Sequence, residues 1–261
     1  MLTQPLIDQL QSLRLRGMAA ALNAQTGDRN TTALAFEERL SLLIQHEVTD
    51  RASARLVQRL RWAKLPQSAV LEDLDPAAMR GLDPGTLAQL RSLNWIGEHL
   101  NLLICGPTGV GKSYLASALA HAACRADHSV RCLRIPRLVD ELTRAHAMQN
   151  RSNFLKQLAK AELLVLDDFG ITPMADQIKR DLLEILDDRY DRKSTLVTSQ
   201  LPVDRWHESL ADPTLADAIL DRLVHNAHRL ELSGESMRRV KAEALERNVT
   251  NAGGDSHVPA A

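Results

Sequence analysis

The sequence has almost no excess of one charge and few aromatic side chains. Its 261 residues include 32 Lys and Arg against 33 Asp and Glu, which leaves a formal net charge of −1. This balance argues against binding to nucleic acid through bulk positive charge, so any DNA contact must use a local basic patch. Because aromatic residues make up only 3%, the core must be built mainly from Leu, Ala, Val and Ile.

Long apolar runs and paired cysteines are also missing. No stretch of about 18 apolar residues occurs, so the sequence predicts no transmembrane helix and no membrane partner. The first residues lack the basic-then-apolar order of a secretory signal. The three cysteines, Cys105, Cys124 and Cys132, form neither an even disulfide set nor a CxxC pair. We therefore expect reduced, buried cysteines and a cytoplasmic protein.

The residues that are present have an ordinary globular composition, with 44% hydrophobic and 25% charged residues. Up to about residue 72, leucines recur at helical spacing, which predicts a helical leader. Residues 71–84 (LEDLDPAAMRGLDP) contain the Asp-Pro pairs and glycine that are typical of a connector. We predict an all-helical N-terminal DNA-binding domain over residues 1–75, an ATPase domain over 76–247, and a disordered tail over 248–261.

Beyond the connector, short apolar runs alternate with amphipathic stretches. The runs predict five strands, at Leu102–Cys105, Val130–Ile135, Leu163–Leu166, Thr195–Thr198 and Arg229–Leu232. Helical patterns lie near residues 113–126, 136–149, 175–192 and 214–227. Strands separated by helical segments of this length indicate an α/β fold, in which helices cover both faces of a parallel sheet.

The first predicted strand runs into a glycine-rich loop, GPTGVGKS, that matches GxxxxGK[ST] at every fixed position. Glycines let backbone N–H groups wrap around phosphate, and the following helix adds its positive N-terminus. Lys112 supplies a charge for the β- and γ-phosphates, and the Ser113 hydroxyl can bind Mg²⁺. ATP with Mg²⁺ is thus the predicted cofactor, held by Gly106, Pro107, Thr108, Gly109, Val110, Gly111, Lys112, Ser113 and Tyr114.

A second apolar run, LLVL, ends in two carboxylates, Asp167 and Asp168. Open α/β sheets bind their ligands at the carboxyl ends of the strands. We predict that Asp167 binds Mg²⁺ together with Ser113, and that Asp168 orients or deprotonates the attacking water. Acids that merely cap a following helix give the same local pattern. The position about 55 residues after the phosphate loop favours the catalytic interpretation.

Two later elements carry further polar candidates. Thr198 and Gln200 end the fourth strand, where either side chain could reach the γ-phosphate or the water; a strand that runs into a capped turn is the alternative. Arg222 lies beside Asp221 on an apolar helix. Taken alone, this neighbourhood favours a surface ion pair over an arginine finger that reaches the ATP of an adjacent subunit.

Several longer segments carry a family resemblance: LLICGPTGVGKSYLASALAHAA, LLVLDDFG, STLVTSQLPVDRWHE, LADAILDRLVHNAHRLELSGESMRR and RLRWAKLP. The chain resembles the IstB-type helper ATPases of insertion-sequence transposons, which are AAA+ relatives of the helicase loader DnaC. The resemblance implies an AAA+ core with strand order 5-1-4-3-2 and a small helical domain that contacts DNA. It also implies an ATP-dependent homo-oligomer on DNA, with ATP sites at subunit interfaces, that recruits and stimulates a transposase.

The resemblance also implies roles for single residues. Lys112 and Ser113 fall on the Walker A motif, and Asp167 and Asp168 on Walker B. Gln200 falls near sensor 1, Arg222 on the arginine finger, and Arg238 on sensor 2. The sequence departs from the broader pattern where Asp168 replaces Glu and where Gln200 replaces Asn, so sensor 1 stays open between Gln200 and Thr198. A DnaC-type replicative helicase loader is the nearest alternative function, and a small-molecule P-loop kinase is a more distant one.

A basic stripe precedes the connector. Arg51, Arg55 and Arg59 recur every four residues and therefore share one helix face, which Arg61 and Lys64 extend. No acidic residue occurs from Arg51 through Leu71. Long cations on one face suit contacts with the phosphates of double-stranded DNA, although a solvated helix face would look the same. Because no base-reading motif is visible, we expect largely sequence-independent binding.

Overall fold

The computed structural model describes residues 3–28, 31, 33–74, 81–237 and 239. The chain divides into two compact units, Met1–Arg61 and Trp62–Ala261. The predicted boundary between residues 75 and 76, the predicted tail 248–261 and Arg238 lie outside the described residues. Among the described residues, no helix combines the length and the apolarity needed to span a membrane.

The first unit is helical, as the leader pattern predicts. It contains α1 (Thr3–Ser12), α2 (Arg16–Gly27) and all but the last two residues of α3 (Phe36–Ala63), which is 28 residues long. Gly17 on α2 lies so close to α3 that a Cβ atom at this position would be 2.7 Å from the Cα of Glu47. The Glu47 carboxylate also accepts a hydrogen bond from the Met18 N–H, at 3.0 Å. These contacts join the start of α2 to the middle of α3.

The second unit is built on a five-stranded sheet. Its strands are β1 (Asn101–Cys105), β2 (Val130–Arg134), β3 (Leu163–Phe169), β4 (Ser194–Ser199) and β5 (Ala227–Glu231). All neighbouring strands are parallel, and their order is β2-β3-β4-β1-β5. This confirms the predicted α/β class and the order 5-1-4-3-2.

Helices follow most of the strands and cover the sheet. They are α4 (Pro84–Arg91), α5 (Asn94–Gly97), α6 (Lys112–Arg125), α7 (Ile135–Ala147), α8 (Arg151–Lys160), α9 (Asp176–Arg189), α10 (Trp206–Leu210) and α11 (Pro213–Val224), with 3₁₀ turns at Leu71–Asp73 and Val203–Arg205. Asp83 caps α4 by accepting the backbone N–H groups of Gly85 and Thr86. The Asp-Pro pair at the end of the predicted connector therefore begins a helix.

The core lies on both faces of the sheet. Strands β1 and β4 are buried along their whole length, and β3 is buried except at Asp168. Phe169 at the end of β3 packs against the fully buried Trp206, with ring centroids 4.7 Å apart. The three cysteines are free and buried, as expected. This packing fixes the carboxyl ends of β1, β3 and β4 at one edge of the sheet, where the candidate site lies.

Candidate nucleotide-binding site

The glycine-rich loop leaves the end of β1 and leads directly into α6. Gly106, Gly109 and Gly111 have φ angles of 146°, 90° and 101°, values that favour glycine. A Cβ atom at Gly106 would also lie 2.1 Å from the backbone oxygen of Leu232. The loop thus needs glycine both for its backbone conformation and for close packing. The predicted nucleotide-binding residues all lie in this loop or in the first turn of α6.

Lys112 lies at the start of α6 and curls back over the loop. Its ammonium group donates hydrogen bonds to the backbone oxygens of Gly106, at 2.7 Å, and Pro107, at 2.8 Å. The side chain is buried although it carries a charge. Carbonyl oxygens satisfy the ammonium here, and phosphate oxygens would make stronger, charge-assisted bonds with it. The structure therefore holds the loop's cation close to the backbone that would surround phosphate.

Oxygen atoms from three elements meet beside the loop. The Asp167 Oδ1 atom accepts hydrogen bonds from the hydroxyls of Ser113, at 2.7 Å, and Thr198, at 2.5 Å. Such hard oxygen donors suit Mg²⁺, which is usually held by one or two protein ligands together with phosphate oxygens and water. Among the described residues, no group of three or more His, Cys, Asp and Glu could hold a metal ion. Ser113 and Asp167 thus offer the one or two protein oxygens that suit a metal which a nucleotide brings with it.

Asp168 occupies an unusual backbone conformation at the end of β3. Its φ angle is 63°, and the pairing of β3 with β4 is irregular between Leu166 and Phe169. Its N–H donates to the Thr198 hydroxyl at 3.1 Å. Non-glycine residues in this region of φ are uncommon and concentrate at functional sites. The irregularity turns the second carboxylate out of the buried strand, towards the edge of the sheet.

An arginine that the sequence analysis did not single out contacts this carboxylate. Arg134 ends β2, and the strand register pairs it with Asp167. Its guanidinium donates to Asp168 Oδ2 from both Nε, at 3.1 Å, and Nη2, at 2.5 Å. These hydrogen bonds, together with the charge of Asp168, raise the pKa of Arg134. No local sequence pattern points to Arg134, because the strand pairing that brings it here joins residues far apart in the chain.

The two candidates for sensor 1 contact different parts of the site. Gln200 accepts a hydrogen bond from the Thr108 hydroxyl in the phosphate loop, at 2.7 Å. Thr198 is buried and bridges Asp167 and the backbone of Asp168. Both residues therefore belong to the site, but only Thr198 contacts the two acids.

A segment near the end of the described chain lies on the phosphate loop. Met237 donates its backbone N–H to the Gly109 oxygen at 2.9 Å. A Cβ atom at Gly109 would lie 2.3 Å from the Ser236 hydroxyl. The contact explains why the variable fourth position of the loop is a glycine. Sequence reasoning assigned no role to Ser236, although it lies within the GESMRR segment that carries part of the family resemblance.

Arg222 lies away from the phosphate loop of its own chain, near the opposite end of β1. Its backbone oxygen accepts a hydrogen bond from Asn101, the residue that begins β1, whereas the phosphate loop follows the other end of β1. Its guanidinium donates to Asp187 at 2.7 Å and to Asp221 at 2.5 Å, and it lies 4.8 Å from the ring centroid of Tyr190. Within one chain, Arg222 thus makes the ion pair with Asp221 that the local sequence favours.

The predicted DNA-binding residues lie on or directly after α3. Arg51, Arg55 and Arg61 are exposed, and Arg59 is half-buried. Arg51 donates to Glu47 on the preceding turn, at 2.6 Å. Lys64 follows the helix and lines a cavity of about 440 Å³ in the second unit, together with Ser113, Arg134 and Asp167. The helical stripe therefore exists as predicted, whereas its binding to DNA stays a prediction.

Comparison with protein families agrees with this geometry. A family model described as IstB-like ATP binding protein matches residues 8–244. The chain is 49% identical over 239 residues to a Sinorhizobium fredii protein described as the insertion sequence ATP-binding protein y4pL, a match that covers 92% of this chain and 98% of the relative. It is 46% identical over 203 residues to an ATP-binding protein of insertion sequence IS1162 from Pseudomonas fluorescens, covering 77% and 88% of the two chains.

Solved structures of replication proteins share the fold. A crystal structure of DnaI matches with a TM-score of 0.52 and 25% identity, over 63% of this chain and 91% of that chain. A crystal structure of the DnaC helicase loader matches with a TM-score of 0.52 and 21% identity, over 63% of this chain and 97% of that chain. At 21% identity, the likeness to DnaC extends to the fold alone.

Proposed function

The chain belongs to the family of IstB-like ATP-binding proteins, and from this premise we propose that it is an ATP-hydrolysing, DNA-binding helper of transposition. In this function it binds ATP with Mg²⁺ and oligomerises on double-stranded DNA with ATP sites at subunit interfaces. The assembly recruits or stimulates a partner transposase. The observation that carries the proposal is the meeting of Lys112, Ser113, Asp167 and Asp168 at one edge of the sheet.

Each of these residues has a distinct task in hydrolysis. When bound, ATP with Mg²⁺ supplies the γ-phosphoryl group and the charge that neutralises its oxygens. Lys112 exchanges its two carbonyl partners for phosphate oxygens, and the loop's N–H groups bind the same phosphates. Ser113 and Asp167 would hold the metal, and Asp168 is placed to accept the proton of the attacking water. Thr198 keeps the two acids in place through its contacts with both.

The same arrangement predicts slow turnover in the isolated chain. The candidate base, Asp168, is engaged by Arg134, so one of its carboxylate oxygens already accepts two hydrogen bonds. The proposed arginine finger, Arg222, is engaged by Asp187 and Asp221. Both contacts are at least partly exposed, and exposed ion pairs exchange at low cost. Assembly on DNA would then complete the site by replacing these partners.

Contact with DNA is supported by the α3 stripe and by the names of the relatives. Arg51 and Arg55 are exposed on one long helix, where phosphate contacts release counterions. Several relatives are described as ATP-binding proteins of insertion sequences, including one from Pseudomonas aeruginosa that is 34% identical over 228 residues. These names support a role in transposition for this chain.

A replicative helicase loader is the second candidate function. The likeness to DnaI, at 25% identity, favours it. The insertion-sequence relatives are more similar, at 46–50% identity against 21–25% for the loaders. We therefore place transposition first. Strand-transfer assays with a transposase, run beside loading assays with a replicative helicase, separate the two functions.

The ATPase part of the proposal is tested with two variants of the site. We expect Lys112→Ala to lose tight ATP binding, because the loop loses its only cation. Asp168→Asn should bind ATP like wild type but lose hydrolysis, since an amide cannot take the proton. Asp188→Asn, an exposed acid on α9, is the control and should keep both properties. Equal turnover in Asp168→Asn and wild type, measured by phosphate release, would refute the assignment of the base.

A further inference from the structure

A cavity of about 440 Å³ lies beside the two residues that we propose as metal ligands. Ser113 and Asp167 both line it, together with apolar side chains of β2, β3 and α6. Among the described residues that line it, none belongs to the phosphate loop, residues 106–111. Pockets for small ligands begin at about 300 Å³, so the cavity has room for a small ion and water molecules. The cavity therefore extends from the metal ligands away from the loop.

Three cations and one carboxylate are among the described residues that line the cavity; the cations are Lys64, Arg134 and Arg137. Two of these cations have acid partners, since Arg134 donates to Asp168 at 2.5 Å and Arg137 donates to Glu141 at 3.0 Å. The side chain of Lys64, by contrast, makes no hydrogen bond or ion pair with any residue that the structure describes. Lys64 thus brings to the cavity a positive charge that no described acid pairs with.

The backbone around Lys64 is fixed to the second strand of the sheet. Helix α3 ends at the fully buried Ala63, and Lys64 follows it with a φ angle of 52°. A left-handed residue in this position commonly ends a helix. The backbone oxygen of Trp62 accepts a hydrogen bond at 2.9 Å from Arg131, which is itself buried on β2. This anchor keeps the backbone of Lys64 beside the cavity, although its side chain is exposed.

The hydrolysis of ATP produces an anion that fits such a cavity. The oxygen of water bonds to the γ-phosphorus while the bond from that phosphorus to the bridging oxygen breaks, and the bridging oxygen stays on ADP. One proton of the water leaves through Asp168, and the other stays on the inorganic phosphate. An unpaired ammonium group is a strong donor to phosphate oxygens. Because Ser113 and Asp167 line both the proposed reaction site and the cavity, phosphate can pass from one to the other while ADP stays in the loop.

We propose that this cavity binds the inorganic phosphate that hydrolysis releases, and that Lys64 holds the ion on its way to solvent. The inference rests on the proposed function and adds to it a site for the product. It assigns Lys64 to the product, although the place of Lys64 after the α3 stripe also suits a phosphate of DNA. Both ligands present phosphate oxygens, so the experiments must separate the free ion from the DNA backbone.

Phosphate binding to the ADP-bound chain tests the site without any turnover. The probe is inorganic phosphate, titrated with the full-length protein in saturating ADP and Mg²⁺ and followed by the width of its phosphorus NMR line. We expect Lys64→Gln to raise the dissociation constant of phosphate by about tenfold, because the ion loses an unpaired cation. Lys156→Gln, which removes an exposed lysine of α8, is the control and should bind phosphate like wild type. Equal affinity in Lys64→Gln and wild type would overturn the proposal, as would an equal loss in both variants.

The affinity for duplex DNA separates the two sources of phosphate. Lys64→Gln should keep the DNA affinity of wild type within about twofold, whereas Arg55→Gln, on the α3 stripe, should lower it. Fluorescence anisotropy with the same labelled duplex measures both variants. If Lys64→Gln loses DNA affinity but binds inorganic phosphate like wild type, Lys64 belongs to the DNA contact and the proposal is overturned.

Oxygen exchange tests whether phosphate leaves through the cavity. During hydrolysis in water labelled with heavy oxygen, each reversal of cleavage before release adds label to the phosphate, so slower release gives more label in each ion. We expect more label with Lys64→Gln than with wild type or Lys156→Gln, because the ion loses the cation that draws it from the reaction site. Equal labelling in the three proteins would overturn the proposal. If wild type binds phosphate through Lys64 but does not hydrolyse ATP, only the ATPase proposal fails, so the two proposals are distinguishable.

Discussion

Arg134 donates two hydrogen bonds to a single carboxylate oxygen of Asp168, from Nε at 3.1 Å and from Nη2 at 2.5 Å. Its Nε also lies 3.9 Å from Asp167. The contact joins the end of β2 to the acid that we propose as the base. An oxygen that accepts two guanidinium donors is poorly placed to take a proton from water. The structure therefore pairs the proposed base with a residue that restrains it.

Removing this restraint should speed hydrolysis. We predict that Arg134→Ala raises the DNA-independent kcat for ATP by about twofold to fivefold, the size expected for an exposed ion pair. Arg137→Ala is the matched control, because Arg137 is an equally exposed arginine that pairs with Glu141 instead of the acids. Steady-state phosphate release measures both. Loss of turnover in Arg134→Ala would show instead that the reaction needs this arginine.

Local patterns in the sequence predicted the parts of the site that one segment builds alone. The phosphate loop and Lys112 lie in one strand, loop and helix, and Asp167 and Asp168 end one apolar strand, so their positions follow from neighbouring residues. Arg134 reaches Asp168 through the pairing of β2 with β3, which no local spacing records. The helix α8 (RSNFLKQLAK) was not predicted either, because apart from Leu155 and Leu158, which are buried, it is mostly polar.

Thr198 should matter more for turnover than Gln200, because it contacts both acids while Gln200 contacts only the loop. We predict that Thr198→Val lowers kcat by about tenfold to a hundredfold, since it removes the hydroxyl that contacts Asp167 and the partly buried N–H of Asp168. Thr198→Ser, which keeps the hydroxyl, should stay within about threefold of wild type. Gln200→Ala should change kcat less than Thr198→Val does; the reverse order would assign sensor 1 to Gln200.

Arg189 should be important for stability rather than for chemistry. It is fully buried and donates to Thr195 and to the backbone oxygens of Leu158, Ala161, Glu162 and Ser194. Burial lowers the pKa of its guanidinium, while these acceptors favour the charged form. We predict that Arg189→Leu lowers the free energy of unfolding by about 3–5 kcal/mol, because buried oxygens lose their donors. Chemical denaturation measures the change.

A neighbouring arginine provides the control for this stability measurement. Arg192 is exposed, and exposed substitutions usually change stability by less than about 0.5 kcal/mol. Arg192→Leu should therefore unfold at nearly the same denaturant concentration as wild type. Equal stability of Arg189→Leu and Arg192→Leu would mean that water replaces the buried guanidinium at little cost.

DNA affinity should depend on salt through the α3 stripe. The slope of log K against log salt is negative, and we predict that replacing Arg51, Arg55 and Arg59 by Ala makes it flatter, by up to about 0.9 for each lost phosphate contact on duplex DNA. Replacing Arg125, Arg144 and Arg205, which are exposed arginines of the second unit, removes the same charge elsewhere and should leave the slope unchanged. Fluorescence anisotropy at several salt concentrations measures the slope for each variant. Equal slopes for the stripe variant and wild type would show that the stripe does not contact phosphate.

The last prediction concerns Arg222. Within its own chain, this arginine donates hydrogen bonds to Asp187 and Asp221 and lies over the Tyr190 ring. An arginine finger acts on the site of an adjacent protomer, where it stabilises the charge that develops in the transition state. Arg222→Ala should leave folding and ATP binding nearly intact but lower hydrolysis by as much as about 10³-fold.

The measurement is ATPase activity of Arg222→Ala mixed with Lys112→Ala. Each variant carries the half of the interface that the other lacks, so some mixed interfaces join an intact loop to an intact finger and activity should partly return. If the two variants assemble together but the mixture stays as inactive as either variant alone, Arg222 is not the arginine finger. Its role is then limited to the ion pairs with Asp187 and Asp221.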